Sequence, residues 1–266
     1  QKKLSDQEDL LTLRQKKNLI WVRLLLCILK LQRSSLKLMT DPRIIVAIDT
    51  FDLTKANAIL DQLDPDLCRV KIGSVVFNAL GKSFLQLVSQ GGFKIFLDLK
   101  LHDIPNTVHE TILGFDDCAI DMLTVHLSGG EDMLAKAMLA AKNINTKVIG
   151  VSVLTSMKES DTLALFGNSL NDQMLNLFEL AKKTNLDGIV CSPLELEIAN
   201  NILNPSTIKI TPGIRDIKAE DDQARTMSAK HAIKNGASFL VIGRPITQAE
   251  DISKELKNFN DSIYGY

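Results

Sequence analysis

The stretch FLDLKLHDIPNTV, residues 96–108, sets Asp98, Lys100 and Asp103 within six residues of one another, between an apolar run and a proline. Two acids and a base in that pattern suit carbanion chemistry. A carboxylate can face an anionic group of a substrate while an adjacent ammonium stabilises developing negative charge and delivers a proton. Asp98 and Lys100 stand two apart, so on a strand both side chains point to one face. Lys71, in VKIG (70–73), can come alongside from a neighbouring strand, and an alternating Lys, Asp, Lys array leaves each acid flanked by positive charge. The bland alternative is an ion-pair network that only closes one end of a sheet. Three or four converging charges weigh against it, because desolvating them is costly unless they serve a reaction.

A second group of residues suits phosphate. TPGIR (211–215) and VIGR (241–244) each follow a β-branched run. Gly213 and Gly243 permit close backbone approach, and Arg215 and Arg244 offer planar donor forks to phosphate oxygens. His102 lies inside the central stretch and orients the turn, and His126 ends another run. The two are poor candidates for a metal site, because a hard cation requires more carboxylates around it.

Positioning these groups takes a repeating scaffold. From Arg43 onward, short runs rich in β-branched residues alternate with helical spacing. The strands are expected at 43–49, 68–73, 94–100, 122–127, 147–154, 188–192, 208–213 and 239–244. Helical patterns such as LTKANAILDQL and NDQMLNLFELAKKT lie between them. Runs this continuously apolar belong to a parallel sheet covered on its faces. Eight β/α units in about 225 residues predict a single-domain TIM (β/α)8 barrel rather than an open doubly wound sheet, and no G-x-G-x-x-G follows the first strand. A barrel places its chemistry at the carboxyl ends of the strands and its phosphate site after strands seven and eight. Asp49, Lys71, Asp98, Lys100, His126, Thr155, Arg215 and Arg244 all fall near such ends.

Composition narrows the partners. Of 266 residues 45% are hydrophobic and 24% charged, which excludes a disordered chain and a multi-span membrane protein. A net charge of −1 gives no concentrated positive surface for nucleic acid, so a small molecule is the expected partner. Cys27, Cys68, Cys118 and Cys191 are widely spaced without a CxxC, which fits a reducing cytoplasm and neither a disulfide framework nor a structural zinc site. Residues 1–38 stand apart. In KKNLIWVRLLLCILKLQRSSLKL, the basic residues Lys16, Arg23, Lys30 and Lys37 recur every seven positions on an apolar body. That segment reads as an interfacial or partner-binding helix or, the preferred reading, as an appended or non-native leader. It is too interrupted by charge to span a bilayer or serve as a signal peptide. Met39 precedes TDPRIIVAID directly, and the catalytic barrel is expected over residues 39–266, with no membrane association of its own.

From about Arg43 to the end, the chain resembles the bacterial-type orotidine 5'-phosphate decarboxylases. It carries VAID, VKIG, FLDLKLHDIPNTV, VH, LTS, DGIVCS, TPGIR and VIGRPI in that family's order. The long central motif is specific alone; the others are specific as a series. The resemblance implies conversion of orotidine 5'-monophosphate to UMP and CO2 without metal or organic cofactor, in a homodimer whose active sites are shared. Asp49 would bind ribose hydroxyls with help from Lys71. Asp98 would face the substrate carboxylate, and Lys100 would protonate the carbanion at pyrimidine C6. Asp103 and Thr107 would reach into the partner's site, and Ile104 would line the pyrimidine pocket. Thr155 would contact the base, while Gln223, Gly243 and Arg244, with Arg215 close by, would hold the phosphate. Two rivals remain open at this level. Related sugar-phosphate lyases share the D-x-K-x-x-D spacing but recruit magnesium, and a non-catalytic nucleotide-binding dimer would use the same scaffold.

Overall fold

In the computed structural model, the structure describes residues 41–154, 156–214 and 227–264. The expectations for the 1–38 leader, Thr155, Arg215 and Gln223 lie outside the described residues. Eight parallel strands, each joined hydrogen bond by hydrogen bond to the next, close into a barrel in the order β1 to β8. The strands are β1 (Ile44–Ile48), β2 (Cys68–Gly73), β3 (Ile95–Leu101), β4 (Ile120–His126), β5 (Lys147–Val151), β6 (Gly188–Val190), β7 (Ile208–Thr211) and β8 (Phe239–Ile242). The expected TIM barrel is the fold. Strands five to eight stop two or three residues earlier than their apolar runs, because pairing ends where the chain turns outward into the loops of the mouth.

Helices cover the outside. They are α1 (Leu53–Leu60), α2 (Ser74–Gln90), α3 (Pro105–Leu113), α4 (Gly130–Asn143), α5 (Glu159–Phe166), α6 (Leu170–Lys183), α7 (Leu196–Ile202), α8 (Ala229–Lys234), α9 (Arg244–Thr247) and α10 (Ile252–Tyr264). Their starts are written locally. The Asp52 carboxylate accepts the Thr54 and Lys55 amides, Ser169 accepts the Asp172 amide, and Pro105 opens α3 where a missing N–H costs nothing.

Alternation divides the apolar residues into two layers. Ile44, Val46, Ile48, Val70, Ile72, Leu97 and Val125 face the helices, in the large core. Ile45, Phe96, Met122, Ile149, Ile210 and Phe239 fill the barrel itself. Each such side chain is at most 8% exposed, and its burial contributes roughly 1.5–3 kcal/mol. Among the described residues the interior at mid-height is thus apolar, and charged side chains lie toward its two ends.

At the amino-terminal end the floor is charged. Arg69 donates through Nε to Asp121 Oδ2 at 3.1 Å and through a terminal nitrogen to the Pro42 carbonyl, while its guanidinium lies 4.2 Å from the Phe239 ring centroid. Lys147 Nζ reaches the other Asp121 oxygen at 2.8 Å. At the opposite end the strands open into the mouth.

Candidate active site

β2 and β3 bring the charged side chains together. Parallel register sets Lys71 of β2 beside Ala47 of β1 and Phe96 of β3, and Gly73 beside Asp98. Lys71 Nζ thus lies 3.3 Å from Asp49 Oδ1 and 3.7 Å from Asp98 Oδ2, and Lys100 Nζ donates to Asp98 Oδ1 at 2.8 Å. The order Asp49, Lys71, Asp98, Lys100 alternates in sign across the mouth. Exposure rises outward: the Lys71 and Asp98 side chains are 13% and 14% exposed, Lys100 37% and Asp49 60%. Gly73 leaves room beside the array, since a Cβ there would stand 3.2 Å from Lys71 Nζ and press on the ammonium.

The convergence of Asp98 and Lys100 has a different backbone cause from simple alternation. β3 is bulged: Leu97 pairs with Leu123 and Leu101 with Val125, so three residues of β3 oppose the single Thr124 of β4. Lys100 adopts φ +53°, a left-handed conformation unusual for a side chain of this size. Its amide donates to Thr124 Oγ1 at 2.8 Å, and that hydroxyl donates to Asp98 Oδ1 at 3.1 Å. Sequence reasoning passed over Thr124. The available signal was a hydroxyl two residues before His126, between the apolar Leu123 and Val125.

A cavity of about 240 Å³ opens against the array. Lys71, Asp98 and Lys100 form one wall, and Val151, Val190 and Val241 are among the apolar side chains of the rest. Cys191 also lines it, but burial, then the Glu195 charge, pushes its thiol up to about 12, which leaves no thiolate to act as nucleophile. A larger apolar groove of about 470 Å³ adjoins it, sharing Val153, Leu154 and Pro212. Gly213, at φ +80°, turns the chain away from β7 at the common edge.

The remaining predicted residues divide cleanly. Gly243 lies at the same mouth, where a Cβ would stand 4.0 Å from Asp49 Oδ2, and Arg244 opens α9 exposed. Asp103, Ile104 and Thr107 stand past the end of β3, all exposed, and Ile104 is 68% exposed. Asp103 accepts the Ile104 amide and makes no ion pair with the array within its own chain. His102 and His126 pack with ring centroids 5.5 Å apart beside the array. Burial, then the positive potential of His102 and Lys100, holds His126 below the ordinary histidine range, against the pull of Asp98. Among the described residues no three His, Cys, Asp or Glu side chains converge as metal ligands would.

A closed parallel barrel with an alternating Lys/Asp array beside a cavity at its carboxyl mouth has the architecture of a (β/α)8 enzyme, with its candidate site where that fold places its chemistry. Residues 42–259 match the profile of the Orotidine 5'-phosphate decarboxylase / HUMPS family, and the chain belongs to that family. It is similar to the orotidine 5'-phosphate decarboxylase of Actinobacillus succinogenes, with 42% identity over 228 residues, 84% of this chain and 98% of the relative. The Haemophilus influenzae enzyme of the same name is 43% identical over 226 residues, covering 83% and 98%. Among solved structures, the orotidine 5'-phosphate decarboxylase of Lactobacillus acidophilus superposes with a TM-score of 0.73 at 33% identity, covering 84% of this chain and 99% of that one. The chain is accordingly a carboxy-lyase of pyrimidine biosynthesis.

Proposed function

We propose that the barrel converts orotidine 5'-monophosphate to UMP and CO2 with its own side chains alone, using the Asp49, Lys71, Asp98, Lys100 array. The observation that carries this reading is the alternation of charge at 2.8–3.7 Å along one wall of the cavity. Asp98 faces the substrate carboxylate. The C6–carboxylate bond breaks, CO2 leaves, and the electron pair remains on C6. Lys100, held by Asp98, then transfers a proton to C6, and both ammonium groups stabilise the developing negative charge.

The other roles follow the same proposal. Asp49 and Lys71 bind ribose hydroxyls. Gly243 and Arg244 hold the phosphate with Gln223 and Arg215, and Thr155 contacts the base. Remote phosphate binding contributes to rate as well as affinity when it stabilises closure and the transition state. Asp103 and Thr107 complete the partner protomer's site, with Ile104 lining its pyrimidine pocket; the exposure of all three, and the lack of any ion pair from Asp103 to its own array, support a shared site in a homodimer. A cytoplasmic location belongs to the same reading. Its support is that Cys68, Cys118 and Cys191 are unpaired, and among the described residues no helix is long and apolar enough to cross a membrane.

The test is the ultraviolet absorbance of orotidine 5'-monophosphate incubated with the protein in EDTA. Loss of the orotate band with UMP appearing is the expected result. No turnover by folded protein in EDTA, with turnover of a sugar phosphate once magnesium is restored, would replace this reading with metal-assisted enediolate chemistry.

A further inference from the structure

The bulge in β3 poses a problem that one side chain solves. Three residues of β3 oppose one of β4, so the regular ladder is interrupted at Lys100, and a partly buried amide left unsatisfied there would cost free energy. Thr124 is fully buried, and its hydroxyl accepts that amide at 2.8 Å. The hydroxyl proton is then free, and an ionised carboxylate can only accept, so it goes to Asp98 Oδ1 at 3.1 Å. That same oxygen receives Lys100 Nζ at 2.8 Å. A single hydroxyl therefore grips Lys100 twice: at its backbone directly, and at its ammonium through Asp98.

We infer that Thr124 is the positioning residue of the charged array, holding Lys100 in its left-handed conformation and Asp98 in the rotamer that aims the Lys100 ammonium into the cavity. The inference rests on the decarboxylase reading above. Thr124 touches no reacting atom; it acts through its two neighbours. A left-handed non-glycine residue persists only where its surroundings over-determine it, and the Thr124 bond supplies that constraint. An ammonium displaced by about 1 Å from the carbon it must protonate loses on the order of 10²-fold in rate.

The test is steady-state decarboxylation of orotidine 5'-monophosphate by Thr124→Val and Thr124→Ser, with thermal unfolding run on both. Thr124→Val keeps the shape and removes the hydroxyl; it is expected to lower kcat by roughly 10–100-fold while KM changes by less than about threefold. Thr124→Ser keeps the hydroxyl and is expected to recover kcat to within about threefold of wild type. A folded Thr124→Val with wild-type kcat overturns the inference. So does a folded Thr124→Ser as impaired as Thr124→Val, which would trace the loss to the methyl group. Amide hydrogen exchange in the unmodified protein gives a readout independent of variant folding. The Lys100 amide is expected to be protected like the strand interior, and exchange at the rate of an open loop overturns the inference. An inactive wild type would instead sink the decarboxylase reading, so the two failures are distinguishable.

Discussion

Both ends of the barrel carry a cluster of alternating charge, and β2 contributes to each: Arg69 to the floor and Lys71 to the mouth. The floor is closed around Arg69, with only Lys147 reaching out to solvent from the cluster. Arg69 is 2% exposed, its fork is taken by Asp121 and the Pro42 carbonyl, and its plane rests on Phe239. The mouth is left open on one side, with Lys71 and Asp98 the least exposed members of the array, Lys100 and Asp49 more so, and Lys100 held in a backbone conformation it would not choose alone. Similar residue types on one sheet thus serve opposite ends. Around the buried Arg69, charge is met by protein partners and holds structure; at the mouth the array lines a cavity.

The sharpest way to break that contrast is to remove one charge from each end. Lys100→Ala is expected to lower kcat by at least about 10⁴-fold, near the upper range for a positioned proton donor that also stabilises charge, with Tm unchanged within about 2 °C. Kinetics and thermal unfolding of one preparation check both halves. Asp121→Ala should do the reverse. It strands a buried guanidinium and is expected to cost about 3–5 kcal/mol in urea unfolding, while kcat of the folded fraction stays near wild type. A floor variant that lost activity without losing stability would erase the distinction.

The mouth is further expected to be completed by a second protomer, which the floor is not. Mixing Asp103→Ala with Lys100→Ala and allowing subunit exchange makes about half the dimers hybrid, each with one intact site, so about a quarter of wild-type activity should return. Confirmed exchange with no recovery would confine each site to its own chain.

The smallest effect concerns pH. Because His126 titrates below 6.5 in the folded protein, the unfolded chain binds the proton first as pH falls. Stability is therefore complete above about pH 6.5 and is lost as pH drops through the folded-state value. Tm is expected to fall by roughly 1–2 °C more in the wild type than in His126→Gln between about pH 7.5 and 5.5. Equal falls would assign the acid sensitivity to other groups.

What could be read from the chain follows the same physics. Continuous apolar runs such as IIVAI mark parallel strands buried on both faces, and β2 has the bounds its pattern predicts. The approach of Lys71 to Asp98 was legible because neighbouring strands run in regular register, whereas Asp98 and Lys100, expected to meet by alternation, meet through a bulge instead. The bulge was not legible, since φ +53° at a lysine has no compositional signature and arises from the opposing Thr124. Arg69, Asp121 and Lys147 were passed over for a related reason. Polar residues at strand starts look like solvated ends, and only the closing of the barrel brings them onto one another.

That closing has an order in time. Strands β1 to β7 each pair with the next strand in the chain, but Ile44, Ile45 and Val46 wait for Leu240, Val241 and Ile242, and Arg69 waits for Phe239. Contacts so far apart in the chain form slowly, and until they form the first strand offers an unpaired edge. During synthesis, the earliest strand and the guanidinium beside it therefore stay unfinished until the last strand is made. The ribosome must deliver the chain through Ile242 before the barrel can shut, and in that interval the unpaired edge is exposed to aggregation.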